Sequence, residues 1–169
     1  MNKIYAAQDN GVSGSLAVLY PDGNIFYKAT PVQKSLNYTK VKAFINRLDY
    51  DEYAKMLQSQ ILDRNLPSIL LLERPMIMPG RWKASVSAIR CDEAQRSVLE
   101  RLRVPFRYID SKEWQRDSKN TKGILPSGLE GDELKTASKQ IGQQLFPSAN
   151  IKKDADALLM AEFARRNNL

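Results

Sequence analysis

The sequence predicts an α/β fold, a mixed five-stranded sheet with helices on both faces, and three observations point to it. Short apolar runs at 4–9, 15–20 and 24–28, the last two separated by Pro21-Asp22-Gly23, have the residue types of an antiparallel meander closed by a tight turn. Ile69-Leu70-Leu71-Leu72 is a continuous apolar run of strand length, the pattern of a strand covered on both sides. Helical spacings and stop signals then alternate with one more short apolar run, the order that builds crossovers onto a sheet.

After the meander, Val41, Phe44, Ile45 and Leu48 fall at i, i+3, i+4 and i+7 and predict an amphipathic helix. Asp49 with Glu52 forms a capping-box pattern, predicting a second helix to about Asn65, before Pro67. The apolar run that follows ends abruptly at Glu73. Pro75 to Gly80 reads as a loop and Lys83 to Arg103 as a long helix, with Ala84, Ser85, Ser87 and Ala88 near its start and Pro105 beyond its end. Phe106 to Ile109 is the fifth strand, and Ser111 to Leu129 reads as a polar, basic loop. Leu134, Ala137, Ile141 and Leu145 mark a helix stopped by Pro147, and a last helix runs from about Asp154 to Asn167. With neither a repeat nor a linker, residues 1–169 are expected to form a single domain.

Composition removes several chemistries. The chain has no histidine, so Ser-His-Asp triads, Cys-His pairs and imidazole-based zinc sites are impossible. Its one cysteine, Cys91, excludes an intramolecular disulfide. No apolar run approaches the roughly 18–20 residues of a membrane span, and MNKIYAAQD leads into no signal-like apolar segment, so a cytoplasmic protein without membrane association is expected. The net charge of +7 is concentrated in residues 74–122, which carry twelve basic against six acidic groups. That excess fits a polyanionic partner, although Arg90, Arg96, Arg101 and Arg103 also fit a merely solvated helix face.

Three carboxylates stand where a core would exclude them. Asp9 ends the first strand and Glu73 the fourth, at strand ends where α/β sheets form their sites. Asp156 lies at i with Leu159 and Phe163 at i+3 and i+7, on the packed face of a helix that is otherwise apolar apart from Glu162. Each has an ordinary explanation alone: Asp9 as a turn residue before Asn10-Gly11, Glu73 as a partner of Arg74, Asp154 or Asp156 as a helix cap. Together they would repel one another unless divalent cations neutralise them. Hard oxygen donors without histidine or cysteine select Mg²⁺, with Mn²⁺ as a substitute, and two such ions can drive phosphodiester hydrolysis.

The same residues carry a family resemblance. Asp9-Asn10-Gly11-Val12-Ser13-Gly14-Ser15-Leu16-Ala17 resembles the D-x-G-x-S-G-x-L-A opening of RuvC-like Holliday-junction resolvases, members of the ribonuclease H-like superfamily. Leu70-Leu71-Leu72-Glu73 is similar to the family's second acid at a strand end, and Asp156-Ala157-Leu158-Leu159-Met160-Ala161 to the D-A-L-x-x-A of its last helix. Ser111-Lys112-Glu113-Trp114, Lys135-Thr136-Ala137-Ser138 and Leu145-Phe146-Pro147 resemble the W…K-x-x-S…L-F-P pattern of phage and organellar relatives. The motifs are short, and their order over nearly the whole chain is what is specific.

The resemblance implies a ribonuclease H-like fold, two magnesium ions, and hydrolysis of four-way or branched DNA, with Asp9, Glu73 and Asp156 as metal-binding acids. Relatives place a fourth acid three residues before the last. Here that position is Lys153, and Asp154 is the nearest candidate. Lys135 lies in the K-x-x-S match and is a candidate for a phosphate. Met76, Met78 and Trp82 follow Glu73 where relatives probe the open junction centre, and they also fit packing beneath the loop or across a dimer seam. Arg81, Lys83, Arg116, Lys119 and Lys122 are the expected phosphate contacts. Two symmetric cuts call for a C₂ homodimer, with the helix at 84–103 as its seam. Two other readings remain open: an actin-like or sugar-kinase ATPase, whose phosphate loop residues 9–15 also resemble, and a branched-DNA-binding protein without catalysis.

Overall fold

The computed structural model describes residues 2–37, 40, 42–117 and 122–169. The meander is β1 (Ile4–Gln8), β2 (Ser15–Leu19) and β3 (Ile25–Ala29), antiparallel throughout. Its β2–β3 turn closes as expected, with Gly23 at φ 87°, where a side chain is disfavoured, and the Asp22 carboxylate accepting from the Asn24 backbone N–H. The next two strands, β4 (Val32–Leu36) and β5 (Phe44–Leu48), form among the described residues a separate two-stranded sheet. Then follow α1 (Tyr50–Gln60), β6 (Ser68–Glu73), α2 (Trp82–Leu102), β7 (Phe106–Ile109), α3 (Ser111–Gln115), α4 (Gly131–Leu145) and α5 (Asp156–Arg166). The main sheet has the order β3-β2-β1-β6-β7, with β6 parallel to both β1 and β7.

Two expectations are corrected. Phe44, Ile45 and Leu48 belong to a strand, not a helix; Val41 lies outside the described residues. Of these three only Leu48 is buried, while Phe44 is 69% exposed, so the helical spacing did not mark a core-facing stripe. Aromatic and β-branched residues at this density suit an extended ribbon, and the Asn37 N–H donating to the Ala43 carbonyl draws its strands together. The basic segment after Ile109 is also not wholly loop, since Ser111–Gln115 forms α3. The Asp49 cap is found as expected, its side chain accepting from the Glu52 N–H at 3.1 Å.

Strand alternation divides the core in two. Tyr5, Ala7 and Leu71 face one side, where α5 lies, and Ile4, Ala6, Leu70 and Leu72 face the other with α1 and α2. Every residue of α5 from Ala157 to Ala164 is buried, as the apolar composition required. Gly142 of α4 lets that helix approach the start of α5, because a Cβ there would lie 2.2 Å from Ala155 Cβ. Among the described residues no helix is long and apolar enough to cross a membrane.

Candidate active site

The register brings the first two acids together. Gln8 pairs with Leu72 across the parallel β1–β6 ladder, so Asp9 and Glu73, one step further on, lie side by side at the carboxyl ends of both strands. By alternation both follow Ala7 and Leu71 onto the α5 side, where α5 begins with Asp156. Asp9 is fixed from two directions. Gln8, fully buried, donates through Nε2 to the Asp9 carbonyl at 2.7 Å and to Thr30 Oγ1 at 3.0 Å. Gly14 packs against the same carbonyl, at a distance where any Cβ would lie 2.1 Å from the Asp9 oxygen.

The other acids are held by hydroxyl and indole groups. Ser111 Oγ and Trp114 Nε1 donate to Glu73 Oε1 at 2.8 and 3.2 Å, which gives the short α3 its place and explains why Trp114 is fully buried. Ser138 Oγ donates to Asp156 Oδ1 at 2.5 Å and accepts from the Ala155 N–H at 3.2 Å, pinning the entry to α5 against α4. Asp154 is not in the helix. It lies in the preceding loop, caps nothing, and its carbonyl accepts from Tyr27 Oη at 2.7 Å. Arg74 does not neutralise Glu73 either, since it pairs with Asp110 at 3.2 Å.

The acids perturb one another electrostatically. Burial, then Glu73, then Asp156 push the Asp9 carboxyl well above the usual carboxylate range, and a hydrogen bond shared with Glu73 and the charge of Asp154 add to this. Asp156 is pushed up to about 6, chiefly by burial; the Ser138 hydrogen bond opposes the shift, Asp154 and Glu73 reinforce it, and Lys153 opposes it. Its place in the first turn of α5 favours the negative charge there. As the side chains stand, no three of the described carboxylate or thiol groups close around one point as a ready-made metal shell. The donor set itself, carboxylates only, has the chemistry of a hard divalent cation, and the mutual repulsion around Asp9 is what such a cation relieves.

The predicted contact residues divide by position. Met76, Met78 and Trp82 are exposed, Trp82 by 70%, rather than packed beneath the loop, and Ile77 joins them at 63%. Buried Ser85 locks this loop to α2, accepting from the Met78 N–H at 2.9 Å and donating to its carbonyl at 3.2 Å. Arg81 and Lys83 flank Trp82 on the surface. Lys135 is exposed three residues before Ser138, on the face of α4 that reaches Asp156. Arg116 is exposed just beyond α3. Lys122 is tied through its backbone to Asn167, at the end of α5 about 16 Å of helix away from Asp156. Lys119 lies outside the described residues.

Sequence reasoning missed a second basic flank. A groove of about 330 Å³ beside Asp154 is lined by Lys28, Lys152 and Lys153 together with Ser13–Ser15 and Tyr27. These lysines are far apart in the chain, and only the pairing of β2 with β3 and the loop before α5 unite them. Ser111, Trp114 and Ser138 were visible as motif members but without a role, and Gln8 only as a polar residue inside an apolar strand.

No protein-family model matches the chain, and no curated protein does. Among solved structures the chain is similar to T. thermophilus RuvC in complex with Holliday junction substrate, at 12% identity and a TM-score of 0.54, covering 98% of this chain and 96% of that one. This likeness shows the fold: the chain has the RuvC-like, ribonuclease H-like architecture that the motif order implies.

Proposed function

We infer that this chain is a metal-dependent, structure-selective endonuclease that hydrolyses phosphodiester bonds at four-way and other branched DNA junctions, a resolvase of the phage type. One observation carries the reading: acids from β1, β6 and the start of α5 converge on one side of the sheet with no guanidinium among them. A half-buried anionic cluster whose nearby ammonium, Lys153, stands 3.9 Å from Asp154 is unfavourable unless something else supplies the remaining charge. Two Mg²⁺ ions, or Mn²⁺ in their place, held by Asp9, Glu73, Asp156 and Asp154 would supply it, together with an activated water and stabilisation of the leaving oxygen.

The chain's own groups do the rest. Ser111 and Trp114 hold one oxygen of Glu73, and Ser138 holds one oxygen of Asp156, so that each acid is oriented before substrate arrives. Lys28, Lys152, Lys153 and Lys135 draw the backbone phosphates towards the acids, with Arg81, Lys83 and Arg116 extending the basic surface. The exposed side chains of Met76, Ile77 and Met78 enter the unstacked centre of a junction. Paired incisions call for two active sites, hence a homodimer, whose seam we assign to α2 near its exposed Ile89.

The test is cleavage of a labelled four-way junction beside linear duplex, flap and RNA–DNA hybrid, with Mg²⁺, Mn²⁺ or Ca²⁺, using wild type and Asp9→Asn. Paired nicks in the junction with Mg²⁺ or Mn²⁺, lost in the variant while binding survives, are expected. Preference for flaps or hybrids would change the substrate and keep the chemistry. No cutting of any DNA under any metal would overturn the enzyme and leave a binding protein.

A further inference from the structure

The charge in the N-terminal part of the fold is segregated. Residues 23–48 carry five basic groups and no acid, whereas the rest of residues 1–73 carries three basic groups and all seven acids. Most of the acid-free stretch builds the β4–β5 ribbon, where Lys34, Lys40, Lys42 and Arg47 are exposed. Strand alternation sets Val32, Lys34 and Leu36 on one face together with Phe44, Asn46 and Leu48. At the root of this face Leu48 is buried; at its far end Leu36 and Phe44, directly opposite each other, are 62% and 69% exposed. The other face is turned inward, since Ser35 and Ile45 are half-buried and Ile45 lies across a groove from Val86 of α2. The root is tied to the turn that carries Asp9: the Thr30 N–H donates to the Gly14 carbonyl at 2.9 Å, and Thr30 Oγ1 accepts from Gln8 at 3.0 Å.

We propose that the outward face of this ribbon lies in the major groove of one duplex arm of the substrate, with Lys34 on a phosphate and Leu36 and Phe44 against base edges. A two-stranded ribbon is one of the two elements that this groove admits, and apolar side chains meet the thymine methyl groups displayed there. Five residues per strand reach about 17 Å, or roughly five base-pair steps of an arm. Charge favours this occupant over a second copy of the chain. A twofold pairing of two ribbons would bring Lys34 against its own image within a stretch that holds no acid to offset it, whereas a duplex supplies the anion. The inference rests on the nuclease reading for its DNA substrate and adds a contact on a paired arm, away from the open centre of a junction.

The test measures the affinity of the full chain against salt, without divalent metal, for a four-way junction, a linear duplex and a single strand. Lys34→Gln should reduce the slope of log K against log salt by about 0.9 on the junction and the duplex. Phe44→Ser should weaken both about tenfold with the slope unchanged, and neither variant should alter single-strand binding. Lys55→Gln, at an exposed lysine of α1 paired with Glu52 at 2.7 Å, is the control and leaves every slope as it was. Equal slopes for Lys34→Gln and Lys55→Gln overturn the proposal, because Lys34 then adds only to a diffuse field. An equal loss on the single strand overturns the paired-arm contact. So does a Phe44→Ser chain that sediments as a monomer where wild type is a dimer, with duplex affinity intact, since a second copy then covers the face. Cleavage by the wild type, assayed in parallel, separates the two readings: weakened duplex binding in the variants without any cutting by wild type leaves the ribbon contact and removes the nuclease, and cutting with unweakened variants does the reverse.

Discussion

The two ends of α5 treat a carboxylate in opposite ways. At its C-terminal end Glu162 is 3% exposed, and Arg165 and Arg166 each reach it at 2.8 Å, one on either oxygen. At its N-terminal end Asp156 meets Ser138 and the acids Asp154 and Glu73, with the ammonium of Lys153 in opposition. Both ends sit on the same sheet, so general packing cannot explain the contrast. A carboxylate that carries its own cations is a structural element. One set among other carboxylates repels them unless a cation arrives from outside, and on the function proposed above that asymmetry distinguishes the working end.

The sharpest break of the comparison is in activity. Asp156→Asn and Glu73→Gln should each lower junction cleavage by 10³-fold or more, while Glu162→Gln leaves it within about threefold, measured as single-turnover rates with Mg²⁺. Next in size is the conversion of the structural end into the other kind. Removing both guanidiniums with Arg165→Ala/Arg166→Ala strands Glu162 in the core and should cost about 3 kcal/mol by denaturant unfolding. Ser138→Ala removes a donor from Asp156 and an acceptor from the Ala155 N–H; about 1–2 kcal/mol of stability and roughly tenfold in rate should go with it.

The smallest effect runs the other way. The folded-state carboxyls of Asp9 and Asp156 are raised, so the fold holds protons that the unfolded chain has released. Stability of the metal-free protein therefore falls as pH rises from about 4 through about 6, the value to which Asp156 is raised. Asp9→Asn should raise the Tm of the metal-free chain by about 2–4 °C at pH 8, near 1 kcal/mol, and leave it unchanged at pH 4. A wild-type Tm that stays flat across this range would remove the electrostatic conflict on which the comparison stands.

The site was legible in the sequence where an acid interrupted an apolar pattern. Asp9 and Glu73 close strand-length runs and Asp156 opens an apolar helix, so their residue types alone declared them out of place. The residues that orient them were not legible as such. Ser111, Trp114 and Ser138 are ordinary residues until the fold sets their donors 2.5–3.2 Å from a carboxylate. The ribbon was misread for a physical reason: Phe44, Ile45 and Leu48 have helical spacing, but a ribbon with one buried position leaves no periodic core face to recognise. The lysine-lined groove depends on a cross-strand neighbour and a loop more than 120 residues away, which local pattern cannot reveal.

Position 14 has a consequence for how this chain tolerates change. A scan of every substitution, scored only for lost activity, should find it as intolerant as position 9, since even alanine would displace the Asp9 main chain. Gly11, three residues earlier and at φ 114°, has no neighbour within 4 Å of a Cβ and should show a graded response, set by backbone strain alone. One of the two most demanding columns of such a scan would then belong to a residue with no functional group, and mutational sensitivity by itself would misassign the chemistry.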